Sequence, residues 1–203
     1  MPALFTHVFP NLVWHIPSSE RVIYLTFDDG PTPEITDWTL KVLDDYNAKA
    51  TFFCIGKNVK SHPALFSKIS TGGHGIGNHT FNHIKGWKSS HQDYLDNVSK
   101  ASEYINSKLF RPPYGQIRPK QAAALVKKGY RVIMWNILSL DWDASISKEK
   151  CAENVIKNSQ SGDIIVFHDS LKAATNLRYA LPKVLQYFSE EGFKFRRIPG
   201  SIQ

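Results

Sequence analysis

Strand-like and helix-like segments alternate along this chain, and that alternation constrains its fold more than any other feature. Short runs rich in β-branched and aromatic residues fall at 21–27, 50–55, 74–78, 109–110, 130–135, 163–168 and 194–198. Between them, apolar residues recur at helical spacing: Ile35, Trp38, Val42 and Tyr46; Tyr94, Val98, Ala101 and Ile105; Ala122, Leu125 and Val126, ended by Gly129. Shorter helical segments are expected at 59–69, where Pro63 obscures the start, and at 151–156. A longer stripe runs through Ala174, Leu177, Leu181, Val184, Leu185 and Phe188, with Pro182 as a kink or a start and Gly192 as the stop. About seven β/α units imply a parallel sheet with helices outside it, either open or closed into a barrel. An open sheet gathers its ligand contacts at one switch point. Here polar residues follow five separate strands, which favours the barrel, whose site lies at the C-terminal ends of its strands.

At 203 residues the chain suits one domain spanning 1–203. Its apolar fraction of 42% and charged fraction of 21% are those of a globular protein, and disorder is excluded as the main state. No apolar run approaches the ~18 residues of a spanning helix. The N-terminal stretch has no basic region, and His7 and Pro10 interrupt it, so it makes a poor secretory signal. Cys54 and Cys151 are far apart with no CxxC pair, which excludes a disulfide framework and a thiolate zinc site. The net charge of +7 comes from scattered lysines and arginines, without a charge block or a nucleic-acid signature. A solvated basic surface is expected, and no nucleic-acid partner.

Five clusters carry chemistry. Thr26-Phe27-Asp28-Asp29-Gly30-Pro31 places two carboxylates at a strand end, where mutual repulsion and desolvation penalise both unless something neutralises them. Neighbours in an extended chain point oppositely, so one Asp can face a metal and the other a reacting group; a plain Asp-Gly-Pro turn is the bland alternative. His79-Thr80-Phe81-Asn82-His83 would put two imidazoles on one face if helical, a common way to collect zinc ligands. Thr80 stands where a metallopeptidase of the HExxH type carries its glutamate, so that mechanism lacks its base. His7, His15, His62, His74 and His91 have no such pairing and are expected to be structural or exposed. Arg111-Pro112-Pro113-Tyr114-Gly115 is a rigid turn opened by a residue that clamps carboxylates, with backbone N–H groups able to hold an oxyanion. Trp135–Asp143 runs from a strand into Asp-Trp-Asp. The strand Ile164–Phe167 ends in His168-Asp169, where an imidazole oriented by a carboxylate can donate a proton.

In this order the five clusters resemble the motifs of NodB-type polysaccharide deacetylases, carbohydrate esterase family four, from about residue 21 to 198. The resemblance implies a distorted (β/α)7 barrel and metal-dependent hydrolysis of N-acetyl, or O-acetyl, groups on a glycan such as chito-oligosaccharide, peptidoglycan or acetylxylan. By position it implies Asp28 as base, and Asp29, His79 and His83 as ligands of a divalent metal, zinc ahead of Co2+, Ni2+ or Mn2+. It also implies Arg111 as tether of the base, the Tyr114 N–H as oxyanion donor, His168 as acid oriented by Asp141, and Trp142 as a groove-lining residue. Leu138 replaces an aspartate frequent in relatives and Gly75 a glutamate; both are expected to reshape the groove. Ile164 and Val166 replace leucines near an acetyl-sized pocket. The competing readings are a metal-retaining glycan-binding module without catalysis and a barrel hydrolase of small amides. The substrate class points to the envelope or exterior, and the poor signal to the cytoplasm.

Overall fold

In a computed structural model of the chain, the described residues are 12–200; His7, Pro10 and the rest of the first eleven positions lie outside them. The elements in chain order are β1 (Leu12–Val13), β2 (Val22–Asp28), α1 (Ile35–Asp45), β3 (Thr51–Cys54), α2 (Gly56–Ser61), α3 (Pro63–Thr71), β4 (Gly75–Asn78) and α4 (His91–Ser102). There follow β5 (Leu109–Phe110), α5 (Pro119–Lys127), β6 (Arg131–Ile133), β7 (Ile137–Leu138), α6 (Lys148–Ile156), β8 (Ile164–His168), α7 (Ala174–Glu190) and β9 (Lys194–Phe195). Every ladder is parallel, in the order β1-β6-β5-β4-β3-β2-β8-β7, and β9 pairs with β2. This is the distorted (β/α)7 barrel.

The distortion is a seam. β6 and β7 are consecutive in the chain but do not pair, and each lies near an end of the ladder. The segment before β2 covers the break: β1 pairs with β6, the Met134 N–H donates to the Val13 carbonyl, the Ile16 N–H to the Gly162 carbonyl, and His15 forms an antiparallel bridge with Asp163.

Strand alternation sorts the side chains. Ile23, Leu25 and Phe27 of β2, Phe52 and Cys54 of β3, and Ile165 and Phe167 of β8 pack outward against α1, α6 and α7. Val22 and Tyr24 face inward with Phe53, Leu109, Ile133 and Ile164. Continuing by twos, Thr26 and Asp28 on β2, and Val166 and His168 on β8, carry that inner face to the strands' C-terminal ends.

Some boundaries differ from expectation, each for a local reason. The 59–69 segment is two helices, because Pro63 begins α3 and His62 between them is not helical (φ −132°, ψ 57°). Pro182 does not start α7, which begins at Ala174 and runs through it; the carbonyl it leaves unpaired belongs to exposed Arg178, where water can satisfy it. β1 and β7 have two residues each, below what periodicity reveals.

Candidate active site

Asp28 sits inside the barrel mouth, almost fully buried, and accepts from Arg111 Nη1 at 2.8 Å. Arg111 has no exposed surface: Nη1 also donates to Thr26 Oγ1 at 2.7 Å, Nη2 to the Met134 carbonyl at 3.0 Å and Nε to the Ile133 carbonyl at 3.3 Å. Its guanidinium lies 4.1 Å from the Phe53 ring centre. Burial lowers its pKa against the pull of Asp28. These bonds tie β2, β5 and β6 together and point the guanidinium at one carboxylate oxygen. Arg111 has no way to reach a ligand.

Asp29 turns the other way because its backbone is left-handed (φ 81°). Its Oδ1 lies 3.1 Å from His83 Nε2 and 3.7 Å from His79 Nε2, buried and without a hydrogen-bond partner. Burial opposes its ionisation, but the His83, His79 and His168 imidazoles outweigh that and hold its pKa at about 2. His79 is also buried; its Nδ1 meets the Arg111 carbonyl at 2.8 Å, which turns Nε2 toward Asp29. Burial pushes its pKa down to about 4, so the ring is neutral at physiological pH. One ligand atom from each of Asp29, His79 and His83 lies within 4.8 Å of the other two. An orphaned carboxylate oxygen beside two imidazoles, one neutral with a fixed tautomer, is a donor set that fits a divalent cation.

The histidine pair is not helical. Thr80 and His83 have positive φ (64° and 55°), and the segment is a loop after β4. Two asparagines the sequence did not single out shape it: Asn78 Oδ1 accepts from the Thr80 N–H, and Asn97 Oδ1 on α4 accepts from Phe81 N–H and Asn82 N–H, each at 2.9 Å. The one available signal was a polar Asn97 beside the apolar stripe of α4.

Across the mouth, Asp141 holds His168 twice, Oδ1 meeting Nδ1 at 2.8 Å and Oδ2 accepting from the backbone N–H at 2.7 Å. Burial would lower the His168 pKa, but Asp141, helped by Asp28 and Asp29, raises it to about 9. Asp169, adjacent in sequence, does not touch the imidazole; it accepts from Gly30 N–H at 3.1 Å and Thr36 Oγ1 at 2.5 Å. A Cβ on Gly30 would fall 2.0 Å from its carboxylate, so only glycine fits there. Burial, with the Asp29 charge, pushes the Asp169 pKa up to about 8.

Asp28, Asp29, His79, His83 and His168 line one cavity of about 460 Å³. Tyr114 (φ 59°) packs on His83, and Trp142 stands edge-on to His168 at 4.8 Å between ring centres. Trp135, Leu138 and Val166 form an apolar wall. Ile164 is buried below it. Gly75 does not shape this groove, contrary to expectation: it begins β4, at the opposite end of the barrel, where a Cβ would press on Thr51 and Arg197. Cys54 and Cys151 are both free and buried.

The arrangement suits metal-assisted hydrolysis on the mouth of an α/β barrel. A family model described as polysaccharide deacetylase matches residues 15–133. A peptidoglycan-N-acetylglucosamine deacetylase of Bacillus cereus is 36% identical over 191 residues, covering 91% of this chain and 89% of that protein. A chitooligosaccharide deacetylase of Azorhizobium caulinodans is 33% identical over 161 residues, with 76% of each chain covered. The crystal structure of a peptidoglycan N-acetylglucosamine deacetylase in complex with 4-naphthalen-1-yl-N-oxidanyl-benzamide superposes with a TM-score of 0.91 at 30% identity, over 98% of this chain and 95% of that one. The chain belongs to the polysaccharide deacetylase family, hydrolases that cleave acetyl amides on glycans. Membership implies a divalent metal and an acetylated glycan substrate. Among the described residues, no helix is long and apolar enough to cross a membrane.

Proposed function

We propose that this protein hydrolyses the N-acetyl group of N-acetylglucosamine units in peptidoglycan-type glycans, releasing acetate and leaving a free amine. The observation that carries the catalytic reading is a register pair: Asp28 and His168 are Cα partners on adjacent parallel strands, so a carboxylate and an imidazole stand side by side on the barrel's inner face. The names of the relatives support the substrate.

In this reading Asp29, His79 and His83 hold the metal, zinc best matching an O/N/N donor set. When bound, it supplies Lewis acidity that activates a water and polarises the acetyl carbonyl. Asp28, held by Arg111, accepts the water's proton. Its second oxygen is free of the guanidinium, so a base remains available. The Tyr114 N–H donates to the oxyanion as the carbonyl becomes tetrahedral. Asp141 occupies Nδ1 of His168 and leaves Nε2 to protonate the departing nitrogen. Trp135, Leu138 and Val166 enclose the acetyl methyl, and Trp142 borders the sugar. The decisive assay follows acetate release from peptidoglycan fragments and from N-acetylated chito-oligosaccharides, with and without chelator. Metal-dependent release from the peptidoglycan fragments is expected; binding without release would make the protein a glycan-binding module.

A further inference from the structure

Asp29 stands where β2 stops behaving as a strand. Continued extension would send its side chain to the outer, helix-covered face, opposite Asp28. Its φ is instead 81°, in the left-handed region that costs free energy for a residue other than glycine. Such a conformation persists only where the surroundings impose it.

Both peptide planes that meet at the Asp29 Cα are held from outside. On the N-terminal side, the Asp28 carbonyl accepts from the Asp169 N–H at 3.2 Å. On the C-terminal side, one peptide is gripped at both edges. The Asp29 carbonyl accepts from Asn58 Nδ2 at 2.7 Å, and the Gly30 N–H donates to Asp169 Oδ1 at 3.1 Å. The Gly30 carbonyl then accepts from the Ile55 N–H at 3.0 Å. Because peptides are planar, holding two of them fixes φ and ψ of the residue between, and only the side-chain torsions of Asp29 remain free.

The groups that grip are themselves seated. Asp169 is wholly buried, and its second oxygen accepts from Thr36 Oγ1, which in turn accepts from the Thr32 N–H at 2.7 Å. With both oxygens engaged and no exposed surface, the Asp169 carboxylate has no route to a ligand. Asn58 belongs to α2, whose first backbone N–H groups bond the histidine loop: Gly56 donates to the Thr80 carbonyl at 2.9 Å and Lys57 to the Phe81 carbonyl at 3.0 Å. One short helix therefore ties the aspartate turn to the loop that carries His79 and His83. We propose that Asn58 and Asp169 are positioning residues that hold Asp29 in its left-handed conformation and thereby set the affinity of the site for its divalent cation. The proposal rests on the reading of Asp29 as a ligand.

The test titrates the metal-depleted full chain with zinc against a chromophoric chelator, and records the visible spectrum of the cobalt-loaded protein as a report of ligand geometry. Asn58→Leu removes the donor and Asp169→Leu the acceptor at similar volume. Each should weaken zinc binding about 10- to 100-fold, the usual effect of losing a group that orients a metal ligand, and alter the cobalt spectrum. Asp169→Asn keeps an oxygen for the Gly30 N–H, and the Thr36 hydroxyl can accept from its amide, so this variant should retain most of the affinity. Should Asp169→Leu lose its thermal transition, Asn58→Leu, at a half-buried position, carries the test. A lowered thermal midpoint with unchanged zinc affinity would mean that the two residues merely stabilise the fold, and would overturn the proposal. An equal loss in Asp169→Asn and Asp169→Leu would do the same, by assigning the effect to charge. Asp29→Asn separates the two levels. If it loses zinc while both leucine variants bind normally, Asp29 is a ligand and the clamp is refuted. If it binds zinc normally, the ligand reading falls and the proposal with it.

Discussion

Asp28 and Asp29 share a peptide bond but occupy different environments: one bonded to Arg111, the other facing two imidazoles. Exchanging each for its amide separates their roles. Asp28→Asn should keep bound metal and lose roughly 10²–10⁴ in turnover, the range for removal of a general base. Asp29→Asn should lose the metal itself. Elemental analysis alongside acetate release reads both, and reversed metal contents would exchange the assignments. The proposed acid has its own signature. His168 donates only when protonated, and its pKa is raised to about 9, so activity should persist through neutrality and fall as pH rises past that value. Asp141→Asn removes the largest upward pull while burial keeps pushing down, so the alkaline limb should move to lower pH. His168→Ala should abolish that limb and impair amide cleavage more than cleavage of an activated acetyl ester, which leaves more easily. An unmoved limb in both variants would exclude His168 as the proton donor.

At the scale of elements, the loop carrying the proposed ligands His79 and His83 depends on side chains outside the proposed site. Asn97 accepts two backbone N–H groups from the loop carrying His79 and His83. Asn97→Ala should cost about 0.5–1.5 kcal/mol, the usual net worth of a hydrogen bond whose donors water can reach, and loosen metal retention with every proposed ligand present. Urea unfolding and metal titration measure the two effects. Strand ends proved easy to read in the sequence because each is a local pattern: an apolar run followed by Asp28-Asp29, His168 or Arg111. Asn78 and Asn97 were not legible, since their meaning lies in which N–H groups the fold brings to them. The helical reading of the histidine pair failed because Thr80 and His83 take left-handed backbone conformations that spacing does not encode. Gly75 was misplaced for a related reason: a position near a motif in sequence sits at the opposite end of its strand.

For the whole molecule, the proposed metal ligands Asp29, His79 and His83 sit at the mouth of a barrel whose apolar clusters do not include them. Chelation should therefore abolish acetate release while the far-ultraviolet circular dichroism persists. The thermal midpoint should fall only by the amount that metal binding adds to stability. Restoring zinc should restore activity. Unfolding on chelation would instead make the metal structural. The alternation of strands and helices, together with polar residues after five strands, was sufficient to favour a barrel over an open sheet. It did not reveal the seam, because the order of segments in the chain does not say which neighbouring strands fail to pair.

That seam also bears on solubility. A fragment starting at Arg21 would retain all five motifs yet lack Leu12–Ile16, the segment that pairs with β6 and bridges to Asp163. Removing it would leave β6 as a bare edge, with unpaired N–H and C=O groups beside apolar Val132 and Ile133. Such an edge invites strands from other molecules. The shortened protein should bind the same ligands in dilute solution but self-associate as its concentration rises, a liability that the motifs alone would not reveal.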